Sequence, residues 1–260
     1  MKQFAITTIT VLAGKAKDGT TEAFKEVTIR AGDMISIVGP TGSGKTAFIN
    51  DIEVFACGDT VTGRTILVNG EVPPDEMVRD PARKPIALIT QNTKCLADLT
   101  VREFLEMHVK ARKIQDESRT ESTIRLANEF TGEKITKAMR MTALSGGQTR
   151  SLLIADAISV SSATIILLDE VESGGIFKEN VIASLKSNRK AVLFVTHDPL
   201  LALLSDRRIV MRNGAVETIL EPGGREKKIL SRISDMDGFL SRMREKIRAG
   251  ELLDAEVEVA

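Results

Sequence analysis

The segment Gly39–Thr46 (GPTGSGKT) has the composition and order of a loop that cradles phosphate. Backbone N–H groups must turn inward to reach phosphate oxygens, and Gly39, Gly42 and Gly44 leave space that a side chain would block. Pro40, Thr41 and Ser43 complete the loop. Lys45 places a point charge between the β- and γ-phosphates of a nucleotide. The Thr46 hydroxyl is the expected Mg2+ ligand, and a helix starting here adds its dipole.

Two further segments end apolar strands in groups that act on a phosphate held there. Ile165–Glu170 (IILLDE) delivers Asp169 to a sheet edge, where it can hold Mg2+ through water, and sets Glu170 beside it as general base for the attacking water. Val195–Asp198 (VTHD) ends the next apolar strand near His197, one of only two histidines, whose imidazole can contact a γ-phosphate and orient the water. Gln91 follows the strand Ile86–Thr90 and opens a helical stretch; its amide can ligate Mg2+ or its water and swing away when that stretch rotates. His108, midway along a helix face, reads as structural.

Leu144–Gln148 (LSGGQ) is of another kind. Ser145 is a good N-cap, and Ser145, Gly146, Gly147 and Gln148 open a helix, so this is a second anion-binding helix start. The chain already has a phosphate loop at Gly39–Thr46. A second anion site with no strand before it makes sense when it covers the γ-phosphate bound to another copy.

These groups need a frame. Phe4–Leu12, Val27–Arg30 and Ile35–Val38 read as strands, Asp18-Gly19 is a hairpin turn signal, and Asn69-Gly70 closes a tight hairpin between Ile66–Val68 and Glu71-Val72. The early antiparallel strands are expected to surround the buried strand Met34–Val38, which runs into the glycine loop and then a helix from Lys45 through Phe48 and Ile52. From Asp98 to Thr142 the character is helical. Thr100 and Glu103 form a capping box for a helix with Val101, Leu105, His108 and Arg112 along one side, and Ile124–Phe130 is a second helix stopped by Gly132. The helix after Gln148 packs Ile154 and Ile158 on the core. Thr164–Leu168 and Ala191–Val195 are short all-apolar runs, as in parallel strands buried on both faces.

The tail carries Ile229, Ile233, Met236, Leu240, Met243 and Ile247 in heptad-like steps, ended by Gly250, with Arg and Lys on its other faces. It reads as a surface helix packed on its own domain or as a dimer or partner helix, in one piece or broken at Asp237-Gly238. Glu251–Ala260 is acidic. The expected plan is a single domain over 1–260, with its core in 1–90 and 144–222, a helical subdomain in 91–143 and the tail in 223–260.

A chain of 260 residues has ample material for a core, and Lys+Arg and Asp+Glu both number 36, so the formal charge is zero. That balance argues against a nucleic-acid or membrane-surface binder. The longest apolar runs, Ala163–Leu168 and Ala191–Val195, are too short to span a bilayer, and Met1–Thr10 has no secretory pattern. Cys57 and Cys95 lack CxxC spacing and read as reduced thiols. The expectation is a soluble, cytoplasmic protein, with any membrane part on another chain.

Gly39–Thr46 matches a Walker A loop, Gln91 a Q-loop, Leu144–Gln148 a signature motif, Asp169 and Glu170 a Walker B motif, and His197 a switch histidine. In these motifs the chain, from about Phe4 to Leu220, resembles an ATP-binding cassette (ABC) ATPase. The resemblance implies an α/β fold: a P-loop NTPase core with a mainly parallel sheet, an N-terminal antiparallel β subdomain and an inserted α-helical subdomain. It implies ATP and Mg2+ as bound groups and ATP hydrolysis as the activity. Catalytic roles fall to Glu170, His197, Lys45 and Gln91, nucleotide contact to Gly39–Thr46 and Ser145–Gln148, and metal ligation to Thr46, Gln91 and Asp169. Two cassettes, as a homodimer or a pseudo-dimer with a second cassette, would pair head to tail around ATP.

Three departures from that family's pattern stand out. Ser173-Gly174-Gly175-Ile176 lacks the Asp that usually ends the segment after the Walker B glutamate, leaving Glu172 or Glu179 to substitute. Ala13–Asp18 contains no aromatic residue to stack on adenine, so Phe4 or Phe24 would have to reach in, or base selectivity is loose. The segment after the signature reads Thr149-Arg150-Ser151, with Ala155-Asp156-Ala157 where importers often carry an arginine. The leading reading is the ATPase subunit of a transporter that drives a separate integral membrane permease, sitting peripherally at the inner face of the membrane. The alternative is a soluble ABC ATPase working a protein scaffold, as in iron–sulfur assembly. A chromosome-maintenance or DNA-repair head would need a long coiled coil between Gln91 and the signature, and only 92–143 lies there, so no nucleic acid is expected.

Overall fold

The computed structural model describes residues 7–79, 84–90, 93, 95, 98–170 and 176–253. Two sheets frame it. β1 (Thr8–Leu12), β2 (Glu26–Arg30) and β4 (Thr65–Val68) form an antiparallel sheet in the order β2-β1-β4. The other sheet has six strands, β3 (Met34–Val38), β5 (Ile86–Ile89), β6 (Ile165–Asp169), β7 (Ala191–Val195), β8 (Arg207–Arg212) and β9 (Ala215–Leu220), in the order β5-β6-β7-β3-β8-β9. Neighbours from β5 to β8 run parallel, and β9 returns antiparallel on β8. The strand Met34–Val38 therefore lies inside the parallel sheet, between β7 and β8, rather than among the antiparallel strands. An apolar run suits that place because both faces of the strand are covered.

Two Asn-Gly turns shape the edges. Asn69-Gly70 takes φ of 52° and 84°, and Asn213-Gly214 takes 50° and 84°, the backbone of a tight hairpin turn. The first closes only the bridge between Val68 and Glu71, while Asn69 Oδ1 accepts from the backbone N–H of Thr7 and Thr8 at 2.9 and 3.1 Å. The second joins β8 to β9.

The helices are α1 (Lys45–Val54), α2 (Asp75–Arg79), α3 (Val101–Ala111), α4 (Arg119–Glu129), α5 (Gly146–Ser159), α6 (Lys178–Ser187), α7 (Pro199–Leu204) and α8 (Gly224–Arg248). Thr100 and Glu103 make both hydrogen bonds of a capping box at α3. His108 on α3 faces Asp156 on α5 at 2.9 Å, a contact that fits its structural reading. One face of β6 and β7 (Ile166, Leu168, Val192, Phe194) shares a core with α3, α4 and α5. The other (Ile165, Leu167, Leu193, Val195) shares a core with α1 and the antiparallel sheet.

The tail helix α8 is continuous through Asp237-Gly238. A central glycine costs about 1 kcal/mol, and docking contacts offset it: Arg208 pairs with Glu226 at 3.2 Å, Ser234 Oγ donates to Glu179 at 2.6 Å, and Lys178 donates to Asp237 at 2.9 Å. The apolar stripe is not the face that makes these bonds. Ile229, Met236, Leu240 and Ile247 remain exposed.

A fully buried ion cluster joins the antiparallel sheet to the rest. Arg64 donates to Glu22 at 2.6 and 2.9 Å, to Asp51 of α1 at 3.0 Å and to the Gly214 carbonyl at 2.8 Å, and its guanidinium lies 5.0 Å from the Phe48 ring. Glu22 also accepts from the N–H of Gly14 and Val216, both at 2.8 Å, and Asp51 from the Thr62 hydroxyl at 2.8 Å. Removing one member strands the opposite charge in a dry interior. Arg64→Met should lower stability by about 3–5 kcal/mol, seen as a fall in the urea midpoint; a loss within 1 kcal/mol would show that the two carboxylates are not held by this cation.

Candidate active site

The ends of β3, β6 and β7 lie side by side, since Ile37 and Asp169 both register with Val195. The Thr196 N–H bonds the Ile37 carbonyl at 3.2 Å, and the Glu170 N–H bonds the Val195 carbonyl at 3.0 Å. Parallel pairing thereby gathers Gly39–Thr46, Asp169, Glu170 and His197 at one edge of the sheet.

The glycine loop is shaped by backbone that other residues resist. Gly39, Gly42 and Gly44 have φ of 150°, 77° and 100°. A Cβ on Gly39 would fall 2.3 Å from the Met211 carbonyl oxygen, and one on Gly44 would fall 2.8 Å from Gly214 Cα. α1 starts without a side-chain cap and without an acidic residue in its first turn, so its leading N–H groups face outward unmatched by any carboxylate of their own helix. Lys45 is buried, and its Nζ donates to the Gly39 and Pro40 carbonyls at 2.9 and 3.1 Å. Among the described residues, Ser43 Oγ is buried without a hydrogen-bond partner. Thr46 at the helix start is exposed. A cradle of outward N–H groups, a buried ammonium held only by loop carbonyls and an orphaned hydroxyl fits a phosphate chain.

Glu170 sits at φ 50°, left-handed backbone that costs a side-chain-bearing residue about 1–2 kcal/mol. Its carboxylate is 3.8 Å from His197 Nε2, with the two side chains 41% and 52% exposed, so both are open to solvent and to a ligand at the strand ends. The pair can polarise and orient one water. The loop after His197 is anchored. Asp198 Oδ1 caps α7 through the N–H of Leu200 and Leu201 at 2.8 and 3.2 Å, and its other oxygen takes the Lys178 ammonium. Burial alone would lower the Lys178 pKa, but the carboxylates of Asp198 and Asp237 reverse this and hold it above the ordinary lysine value.

Ser145 caps α5 in a capping box: its Oγ accepts from the Gln148 N–H at 3.2 Å, and Gln148 Oε1 accepts from the Ser145 N–H at 2.9 Å. The Ser145 hydroxyl also donates to Glu133 at 2.6 Å, and Gln148 Nε2 donates to the Lys134 carbonyl at 3.2 Å. Among the described residues, no hydrogen bond joins Ser145–Gln148 to Gly39–Thr46. The structure keeps these two groups apart.

Gln91, Phe4, Glu172 and Ser173-Gly174-Gly175 lie outside the described residues. Phe24 packs against the core beneath the antiparallel sheet, and Glu179 is engaged by Ser234. Sequence reasoning missed Lys17, whose Nζ donates to the Gly42 carbonyl at 2.7 Å from the stretch that lacks an aromatic. It also missed Glu133 and the Lys178 cluster; none has a spacing that marks it in advance.

A family model described as ABC transporter matches residues 25–173. An uncharacterized ABC transporter ATP-binding protein of Methanocaldococcus jannaschii is 50% identical over 248 residues, covering 95% of each chain. An sn-glycerol-3-phosphate import ATP-binding protein of Rhizobium johnstonii is 33% identical over 221 residues, 80% of this chain and 61% of that relative. Among solved structures, the dimeric post-hydrolysis state of an ATP-binding cassette bound to ADP and Pi is similar, with TM-score 0.61 and 25% identity, covering 83% of this chain and 99% of that one.

The left-handed backbone at Glu170 makes a direct prediction. Relief of about 1–2 kcal/mol of strain outweighs the added entropy of a glycine, about 0.5–1 kcal/mol. Glu170→Gly should therefore melt slightly above the wild type; an equal or lower midpoint would mean the site stores no strain there.

Proposed function

The chain belongs to the ABC transporter family as an ATP-binding, ATP-hydrolysing cassette, and from that premise we propose how it works. Two copies, or this chain and a second cassette, close head to tail around two ATP molecules. Gly39–Thr46 of one holds each triphosphate, and Ser145–Gln148 of the other covers its γ-phosphate. Closure transmits work to a separate integral membrane permease, and hydrolysis reopens the pair. The chain itself would sit in the cytoplasm, at the inner face of the membrane through that permease; among the described residues no helix is long and apolar enough to cross a membrane.

One observation carries the reading. The chain has two helix starts suited to an anion, and the side chains of Ser145 and Gln148 bond Glu133, the Lys134 carbonyl and each other's backbone, with no hydrogen bond to the glycine loop among the described residues. Two such ends meet one ligand when they come from two molecules, and the similar cassette bound to ADP and Pi is dimeric.

Within the site, Lys45 exchanges the Gly39 and Pro40 carbonyls for phosphate oxygens. Glu170 accepts a proton from the attacking water, and His197 holds that water in line. Thr46 and Asp169 would hold Mg2+, with Gln91 as a further ligand. Phosphate oxygens and water would complete the coordination of that ion. When bound, it supplies neutralising charge to the phosphates. The importer named above is a transporter component, which favours transport over the scaffold alternative.

Glu170→Gln should keep ATP affinity, lower turnover by about 10²–10⁴-fold and elute as a dimer with ATP in light scattering; unchanged turnover would remove Glu170 from the base role. Lys45→Ala should weaken ATP binding by about 10- to 100-fold, read with a fluorescent analogue, and unaltered affinity would contradict the loop assignment. Capture of Glu170→Gln with ATP from detergent-solubilised membranes should recover an integral membrane chain. Recovery of soluble scaffold proteins alone would overturn the transport reading.

A further inference from the structure

We propose that Lys178 and Asp237 are positioning residues through which the C-terminal helix α8 sets the loop that carries His197. Three charged side chains meet at one point. Lys178 opens α6, Asp198 directly follows His197, and Asp237 lies midway along α8. The Lys178 ammonium bonds both carboxylates, and the side chains are 11%, 13% and 25% exposed. In such partial burial an ion pair is little screened by salt, and its geometry is held tightly.

The cluster reaches the site from both sides. Asp198 has its backbone N–H on Thr196 Oγ1 at 2.9 Å, one carboxylate oxygen on the α7 start and the other on Lys178, so the residue next to His197 is held at three points. Lys178 stands at the far end of the segment that leaves β6 after Glu170. The ammonium thus holds the residue that follows His197, from the start of the helix that comes next in the chain after β6. Asp237 ties that ammonium to a helix outside the sheet, and Ser234 Oγ to Glu179 at 2.6 Å adds a parallel tie to the next residue of α6. The cluster thus joins the residue next to His197 to an accessory helix.

The inference rests on the proposed roles of Glu170 and His197, and its test reads them separately. Full-length Asp237→Asn should lower kcat for ATP about tenfold or more, since sub-ångström displacement of a catalytic group has effects of that order. Its ATP affinity should stay at the wild-type value, with the melting midpoint lowered only by the loss of one docking bond. Lys178→Met should likewise lower kcat at unchanged ATP affinity, and Lys178→Arg should restore most of the turnover. Because the chain has only two histidines, imidazole NMR gives a readout free of hydrolysis: Asp237→Asn should shift or broaden the His197 signals and leave those of His108 in place. Unchanged kcat in Asp237→Asn, a loss of ATP affinity parallel to that of kcat, or unmoved His197 signals would each overturn the proposal. Hydrolysis that survives Lys45→Ala while His197 still responds to Asp237→Asn would instead count against the nucleotide reading and leave this coupling standing.

Discussion

One buried guanidinium holds the molecule's architecture to its chemistry. Arg64 enters a dry interior only because Glu22 and Asp51 both face it, and its Nη2 donates further to the Gly214 carbonyl. Those three partners come from the edge of the antiparallel sheet, from α1 and from the turn between β8 and β9. Gly214 in turn donates its N–H to the Ser43 carbonyl at 2.9 Å and packs against Gly44. The shape of the phosphate loop is thus fixed from beneath by charge pairing and from the side by two glycines in contact.

Around that fixed loop the moving parts are few. Lys45 and Lys17 both rest on loop carbonyls, bonds that a phosphate oxygen can displace because an anion attracts an ammonium more strongly than a carbonyl dipole does. Glu170 and His197 stand open at the strand ends, and the residue after His197 is tied down at Lys178.

Much of this could be read in the sequence because it is local. A glycine loop after an apolar strand, Asp-Glu at the end of another and the Thr100–Glu103 box depend on residues within a turn of each other, and each took the expected conformation. Parallel pairing then brought the strand ends together without further instruction. The neighbours of Met34–Val38 were not legible because an apolar run states burial and not partners. Arg64 was invisible since its partners lie 13, 42 and 150 positions away, and a lone arginine has no period. The tail's heptad steps were legible as a helix, yet charged and polar residues, not the stripe, dock it.

The side chains of β6 and β7 alternate between two oily layers, one shared with the inserted helices and the other with the antiparallel sheet. Neither layer can lose its strands without emptying the other. The inserted helices and the N-terminal sheet are therefore thermodynamically married, and heat should release them in a single calorimetric event although they share no residues in sequence.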